Sequence, residues 1–460
     1  MSTAVASRPA GARTQEDGSA LRRLASSNGA VTVLAVLLSL VISAVLIVVT
    51  DEDVQDAAGY LFARPQDALT AAWKAVSGAY AALFRGAVFN YEADTFTDMV
   101  RPLTETLTVA TPLIIISLGV AVAFRAGLFN IGGQGQFIFG AMVATWTAVH
   151  LPLPFGLHLL VVLLAGVVGG VLWGAVVGVL KAWTGAHEVI LTIMLNYVAV
   201  NVLAYLLNTP VLRRAGTTNP VSEFLPESGM FPKLLGDGYR LHWGFVLALL
   251  VTAFTWWLMS RSTLGFRLRA VGANPAAART AGMSVKGTYV AAMAISGGLA
   301  GLAGMTHVSG TENALNTSVA GSYGFDAITV ALLGRSNPVG VLFAGLLFGA
   351  LRAGGVTMQT ETGVPIDIVL VVQSMIVLFI AAPPLVRGLF RLPAPGAARA
   401  RRTADVVTQP AVAGAAVPGA AGLASVPSAQ TQDAAATAVA ADPADPVAGT
   451  GPHREKGQDL

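Results

Sequence analysis

Residues 30–49 form an unbroken run of twenty uncharged, mostly apolar positions, and runs like it recur along most of the chain. A bilayer core about 30 Å thick is crossed by roughly 20 residues of α-helix rising 1.5 Å each. Ala30–Val49 meets that requirement. Further candidates are Glu105–Phe124, Gly127–His150, Phe155–Leu180, Val189–Leu207, Trp243–Met259, Thr288–Val308, Gly340–Gly355 and Ile366–Ala382. Tyr323–Gly334 is shorter and crosses, or half-crosses, in concert with its neighbours. The expected fold class is therefore all-α, a polytopic membrane helix bundle of about ten transmembrane segments. Composition agrees. The chain is 12% charged, about half the share of an ordinary soluble domain.

The first run is a poor signal peptide. Its leader is long and carries Arg8, Arg13, Arg22 and Arg23, and no small-residue cleavage site precedes the acidic cluster after it. Placing the N-terminus in the cytoplasm puts Arg125, Lys181, the 261–286 loop, Arg335 and the Arg387–Arg402 cluster on that same side. It puts Asp51, Glu52, Asp53, Asp56, Glu92, Asp94 and Asp98 outside. Every short cytoplasmic loop is then basic, as the positive-inside rule requires. A cytoplasmic C-terminus needs an even number of spans, hence ten. Residues 1–28 read as a disordered cytoplasmic N-terminus and 29–392 as the transmembrane domain. Residues 51–102 and 208–241 read as extracytoplasmic, with an amphipathic helix over Leu69–Phe89 on the outer surface. Residues 393–460, rich in Ala, Pro, Val and Gln, read as a disordered cytoplasmic tail.

Within the spans, Gly166, Gly170, Gly174 and Gly178 recur every four residues. Such a stripe lets another backbone approach closely, and Gly297, Gly298, Gly301, Gly304, Gly345 and Gly349 suggest the same. The stretch Arg125–Gln136 is different. It places Asn130, Gln134 and Gln136 among four glycines where the chain should enter the bilayer. Broken helix is tolerated at that depth only inside protein or beside a water-filled cavity. The segment therefore lines a transport path or forms a polar packing joint. Glu188, Thr192 and Asn196 repeat at i, i+4 and i+8, a polar stripe facing a cavity or another helix. Asp326 and Arg352 are further intramembrane charges, available to the path or to a structural ion pair.

The loop at 261–287 carries Arg267, Arg269, Arg279 and Lys286 and no acid. Asn274 before Pro275 reads as an N-cap with proline at the first helical position, and Gly282 suits the C-terminal stop. Topology alone would need the charges but not a capped, alanine-rich helix. The loop resembles the cytoplasmic coupling loop of ABC importer permeases, with Arg269, Gly272, Ala273, Asn274, Pro275, Ala277, Ala278 and Gly282 as its docking residues.

Four motifs now stand in order: Gly127–Gln136, Glu188–Tyr197, the 265–287 loop, and Tyr323–Gly334 followed by Asn337-Pro-Val-Gly340. Together they resemble the permeases of the branched-chain amino acid/ribose type, in particular the subgroup serving nucleoside uptake with basic-membrane-protein-type receptors. The resemblance covers about residues 29–390. This chain has Gln134 where the first motif usually has Glu, and His187-Glu188 where the second usually begins Asn-Glu. The tail is no part of the pattern. The resemblance implies the membrane subunit of an importer in a bacterial plasma membrane, moving a small polar solute such as a nucleoside. Its partners would be a second homologous permease, an ABC ATPase subunit that binds ATP and Mg, an extracytoplasmic substrate-binding lipoprotein and the lipid bilayer. Simple sugars such as ribose are the alternative cargo.

The residues agree on several exclusions. There is no cysteine, and the six histidines are scattered, without metal-ligand spacing. No G-x-x-x-x-G-K-[ST] loop is present to cradle phosphates, so the chain is not expected to bind a cofactor or to be an enzyme. The net charge of +3 sits in particular loops and gives no nucleic-acid footprint. An ion-coupled secondary transporter would place coupling carboxylates deep in its spans; only Glu188 and Asp326 qualify.

Overall fold

The computed structural model describes residues 28–390; of the expected unstructured ends, 1–28 and 393–460, all but Asn28, which opens the first helix, lie outside the described residues. Those residues are helical throughout, with only isolated β-bridges in the loops. The helices are α1 (Asn28–Thr50), α2 (Glu52–Ala58), α3 (Pro65–Ala87), α4 (Phe96–Arg125), α5 (Gly133–His150), α6 (Leu157–Thr184), α7 (Glu188–Leu207) and α8 (Gly244–Arg261). They continue with α9 (Thr263–Ala273), α10 (Pro275–Thr280), α11 (Val285–His307), α12 (Tyr323–Leu333), α13 (Pro338–Thr362), α14 (Asp367–Ala381) and α15 (Pro383–Leu389). Seven of them are long and apolar enough to cross a membrane: α1, α4, α6, α7, α8, α11 with its π-helical extension, and α13. α12 and α14 are apolar but shorter. The fold class is thus a polytopic helical bundle. The count of ten spans stays a proposal, since it needs α5, α12 and α14 to cross as well.

α4 is the axis of the bundle. Its stretch from Leu113 through Ala123 is buried all round, because α8, α11, α12 and α13 pack around α4. A helix without a polar face has to be surrounded in this way.

The glycine stripe of α6 does what its spacing requires. α6 lies against α11, and α5 packs on both. A Cβ added at Gly170 would stand 2.1 Å from the Gly297 carbonyl oxygen, and one at Gly297 would stand 2.2 Å from that of Gly170. Gly301 meets the Gly166 carbonyl oxygen at 2.2 Å, and Gly174 meets that of Met293 at 2.3 Å. Gly140 of α5 closes the junction: a Cβ added there would stand 2.1 Å from Gly301 Cα. No side chain larger than hydrogen fits along this seam.

Contacts sort the loops into two ends. At one end Arg125 Nε donates to the Ser336 carbonyl, 3.0 Å, and Gly272 packs on the Arg125 backbone. Residues expected to share the cytoplasmic side do meet there. At the other end the long 208–243 loop is pinned from several sides. Val221 bridges Asn316, Arg240 pairs with Glu105 at 3.0 Å, and His158 Nδ1 meets Ser228 Oγ at 2.7 Å. His242 is buried in this layer, accepting from the Gly244 amide through Nδ1 at 3.1 Å. Burial pushes its pKa down to about 4, and the nearby Arg240 charge acts in the same direction. It is therefore neutral near pH 7. α3, expected on the outer surface, packs its Ala79, Ala82, Gly86 and Ala87 face into the bundle against α13. Its Tyr80 hydroxyl donates to the Leu40 carbonyl of α1, and Arg85 bridges Glu92 and Glu361.

Candidate functional site

α4 stops at Arg125 and helix does not resume until Gly133. Gly127 turns the chain with φ +75°, a conformation open to glycine without strain. The unwound stretch that follows is held by side-chain amides. Asn130 Nδ2 donates to Gln136 Oε1 at 2.9 Å and to Ser296 Oγ at 2.8 Å. Its Oδ1 accepts from the Gly132 amide at 2.9 Å. Asn196, reaching over from α7, accepts from the Gly135 amide at 2.8 Å and donates to the Ile131 carbonyl at 3.0 Å. Thr192 Oγ1 returns to the Glu188 carbonyl at 2.8 Å. Asn130, Gln136 and Thr192 are fully buried and Asn196 nearly so. Left unpaired, each such group would cost on the order of 1–3 kcal/mol; here each is met by protein. In this conformation they act as a brace between α5, α7 and α11, sealed from solvent.

Gln134 points elsewhere. Its Nε2 donates to the Gly321 carbonyl at 2.8 Å, and its Oε1 accepts from the Gly324 amide at 2.9 Å, clamping the start of α12. An ionised carboxylate could accept but not donate. The amide at 134 suits this two-way contact. Just beyond lies a charged cluster. Asp326 accepts from Ser322 Oγ at 2.7 Å and faces Arg352 at 3.5 Å. The Arg352 guanidinium also lies 4.6 Å from the Tyr323 ring centre, a cation–π contact. Tyr323 packs edge-on against His307 at 5.0 Å. Asp326 and Arg352, each open to two roles on sequence grounds, thus form an ion pair. Glu188 also has a partner, Lys181 at 2.8 Å. Among the described residues no group of three acids or histidines could hold a metal.

The 261–287 loop folds as two helices. Asn274 Oδ1 caps α10 by accepting from the Ala277 amide at 3.0 Å, and Pro275 opens it. α10 ends at Thr280 with Ala281 as its cap, as a glycine stop at 282 requires. Gly282 follows at φ +80°, and the Met283 amide returns to the Ala278 carbonyl at 3.0 Å, the closure a glycine stop provides. Ala278 is buried against Val271 and Val285 and anchors the helix. Ala273, Asn274, Pro275, Ala277 and Gly282 are exposed, and Arg269 and Gly272 are half-buried. Gly272 is pressed into the corner after α4: its Cβ would fall 2.2 Å from the Arg125 carbonyl oxygen. The end of α9, which leads directly into the exposed α10, is therefore in backbone contact with the broken span.

Residues 103–381 match the family model described as the permease component of the branched-chain amino acid transport system. The chain belongs to that family. It is a permease, a transport subunit and not an enzyme. Among relatives, the guanosine ABC transporter permease protein NupP of Bacillus subtilis is 40% identical over 284 residues, covering 62% of this chain and 82% of the relative. The nucleoside ABC transporter permease protein NupB of Lactococcus lactis is 36% identical over 289 residues, 61% of this chain and 79% of the relative. The glucose ABC transporter permease protein TsgB13 of Haloferax volcanii is 36% identical over 288 residues, 60% and 75% of the two chains. No solved structure matches the chain.

The face of α7 opposite Thr192 and Asn196 carries Tyr197, Asn201 and Tyr205, all exposed.

Proposed function

We propose that this permease is the membrane subunit of an ABC importer for nucleosides, driven by a separate ATPase that docks on α10. The observation that carries the reading is the exposed, capped α10, joined by Gly272 to the corner at Gly127. A docked motor subunit would act directly on the broken span at that contact. The names of NupP and NupB support nucleosides as cargo, and that of TsgB13 keeps a simple sugar as the second reading. A second permease subunit and an extracytoplasmic receptor complete the proposed assembly. The transport path is proposed to involve Gln134 and Asp326 at the α12 clamp, with Asn130, Gln136, Glu188, Thr192 and Asn196 bracing the elements beside it.

The test is uptake in cells carrying the permease with its partner genes. Labelled guanosine or adenosine should accumulate, and accumulation should stop when the ATPase is inactivated; accumulation of ribose or glucose alone would replace the substrate assignment. Both termini are proposed to be cytoplasmic. The chain has no cysteine, so Asp94→Cys, Glu227→Cys and Thr280→Cys each introduce one exposed thiol. A membrane-impermeant thiol reagent should label the first two in intact cells and leave the third untouched. Labelling of Thr280→Cys from outside would invert the topology and remove the docking argument.

A further inference from the structure

Two outward stripes of this chain are wholly aliphatic, as contact with lipid tails requires. α1 exposes Val33, Leu37, Val41, Val45 and Val49, and α6 exposes Leu164, Val168 and Leu172. The face shared by α12 and the middle of α13 has a different chemistry. Asp326 keeps 19% of its side chain uncovered and Arg352 keeps 35%. Ser322 and Gln134 are half-buried beside them, and Gly321 is exposed. α13 begins at Pro338, so Arg352 stands about 21 Å along its axis at 1.5 Å per residue, well inside a span. Ionisable groups at such a depth face the bundle interior or a water-filled cavity. This pair is left uncovered by the chain's own helices and is unsuited to lipid, so it fits the wall of an aqueous path.

The site is held firmly from behind. Gln134 bonds the Gly321 carbonyl and the Gly324 amide, at 2.8 and 2.9 Å, which fixes the turn that carries Ser322. The buried Tyr323 ring lies under the Arg352 guanidinium, 4.6 Å from it. In front, bonding capacity is spare. Ser322 Oγ donates to Asp326 Oδ2 at 2.7 Å and accepts from Arg352 Nη1 at 3.4 Å. Arg352 Nη1 stands 3.5 Å from Asp326 Oδ2, a loose pair. Among the described residues Asp326 Oδ1 and Arg352 Nε and Nη2 make no hydrogen bond. Opposite charges side by side select against ions: an anion is repelled by Asp326 and a cation by Arg352. A neutral polyol suits both, because a hydroxyl donates to the carboxylate and accepts from the guanidinium. Bonds of this kind, with one ionised partner, are the strong ones.

We propose that Asp326, Arg352 and Ser322 bind the adjacent 2′- and 3′-hydroxyls of the ribose as a nucleoside passes. Asp326 Oδ1 accepts from the hydroxyls and Arg352 Nη2 donates to them. This rests on the nucleoside reading above, names the part of the solute met at the α12 clamp, and gives Arg352 a role beyond neutralising Asp326.

The test uses vesicles carrying the whole importer, with the receptor saturated in turn by guanosine and by 2′-deoxyguanosine. The parent should move guanosine at least about tenfold faster, the scale of one hydrogen bond to a charged group. Asp326→Asn combined with Arg352→Gln removes both charges without stranding one. The double variant should bring the two rates within about threefold of each other, chiefly by slowing guanosine. Equal slowing of both nucleosides, with their ratio kept, would mean that the pair serves folding or the seam with a second permease, and overturns the proposal. Ser322→Cys gives a readout that needs no receptor. In the same vesicles it should react with a charged, water-soluble thiosulfonate, and guanosine should slow that reaction more than 2′-deoxyguanosine does. A thiol that stays unreactive, or that both nucleosides protect equally, overturns the proposal even where the double variant fails to insert. A parent that carries no nucleoside removes the nucleoside reading and this proposal together. A parent that carries both nucleosides at equal rates removes this proposal alone.

Discussion

Replacing Gly170 by valine is expected to leave little or no folded permease in the membrane. A Cβ at this position would lie 2.1 Å from the Gly297 carbonyl oxygen and 2.7 Å from both Gly301 Cα and the Gly301 amide nitrogen. These are backbone atoms of a packed helix, so no side chain can rotate away. Relief requires α6 and α11 to separate, which opens the contacts of both with α5. Overpacking in a close-packed interior costs about 1–3 kcal/mol and more when backbone has to move. Folded proteins are held by only about 5–15 kcal/mol, so one seam residue can remove much of the margin. Gly297→Val should behave alike. Gly78 is the control. It is helical, within α3, and an added Cβ there meets nothing within 4 Å. Gly78→Ala should be tolerated and gain about 0.5–1 kcal/mol through helix propensity. Yield and melting temperature of detergent-solubilised protein check all three. Normal folding of Gly170→Val would mean that the helices do not meet as described.

The second large effect is functional. Ala277→Trp should abolish uptake, by roughly two orders of magnitude, while the protein inserts and melts normally. The Ala277 side chain is exposed and only its amide is used, by the Asn274 cap. Bulk there disturbs no internal contact but occupies the surface on which α10 would meet its motor. Loss of a central interface contact is worth about 2–4 kcal/mol. The neighbouring alanine should behave in the opposite way. Ala278 is buried against Val271 and Val285, so Ala278→Trp should unseat the loop itself and lower the melting temperature. Uptake at the parent rate in Ala277→Trp, with the ATPase still bound, would end the docking assignment.

Span positions were legible because hydrocarbon imposes them. Val189–Leu207 emerged as Glu188–Leu207 and Phe155–Leu180 as Leu157–Thr184, each shifted only at its ends. The α10 cap was legible because Asn-Pro and glycine act locally. The break before α5 was legible from its glycines and amides, yet the partners were not. Nothing in the spacing of Asn130 and Gln136 says that they bond each other and Ser296 of α11. Periodicity tells which residues share a face and not what that face meets. The same limit hid α7. Thr192 and Asn196 stood out as polar in an apolar run, whereas Tyr197 and Tyr205 on the other side became visible only when packing left them uncovered.

The contact between Gly272 and Gly127 has a mechanical meaning. A push on α10 passes along α9 to Gly272 and crosses from backbone to backbone, with no flexible side chain to absorb it. From the Gly127 corner the unwound strand leads to Ile131, whose carbonyl holds Asn196. Asn196 is fixed to α7 by its own backbone, and α7 rests chiefly on α5. If a motor docks on α10 as proposed, the amide brace serves as a fulcrum and α7 as the arm, moved from its inner face.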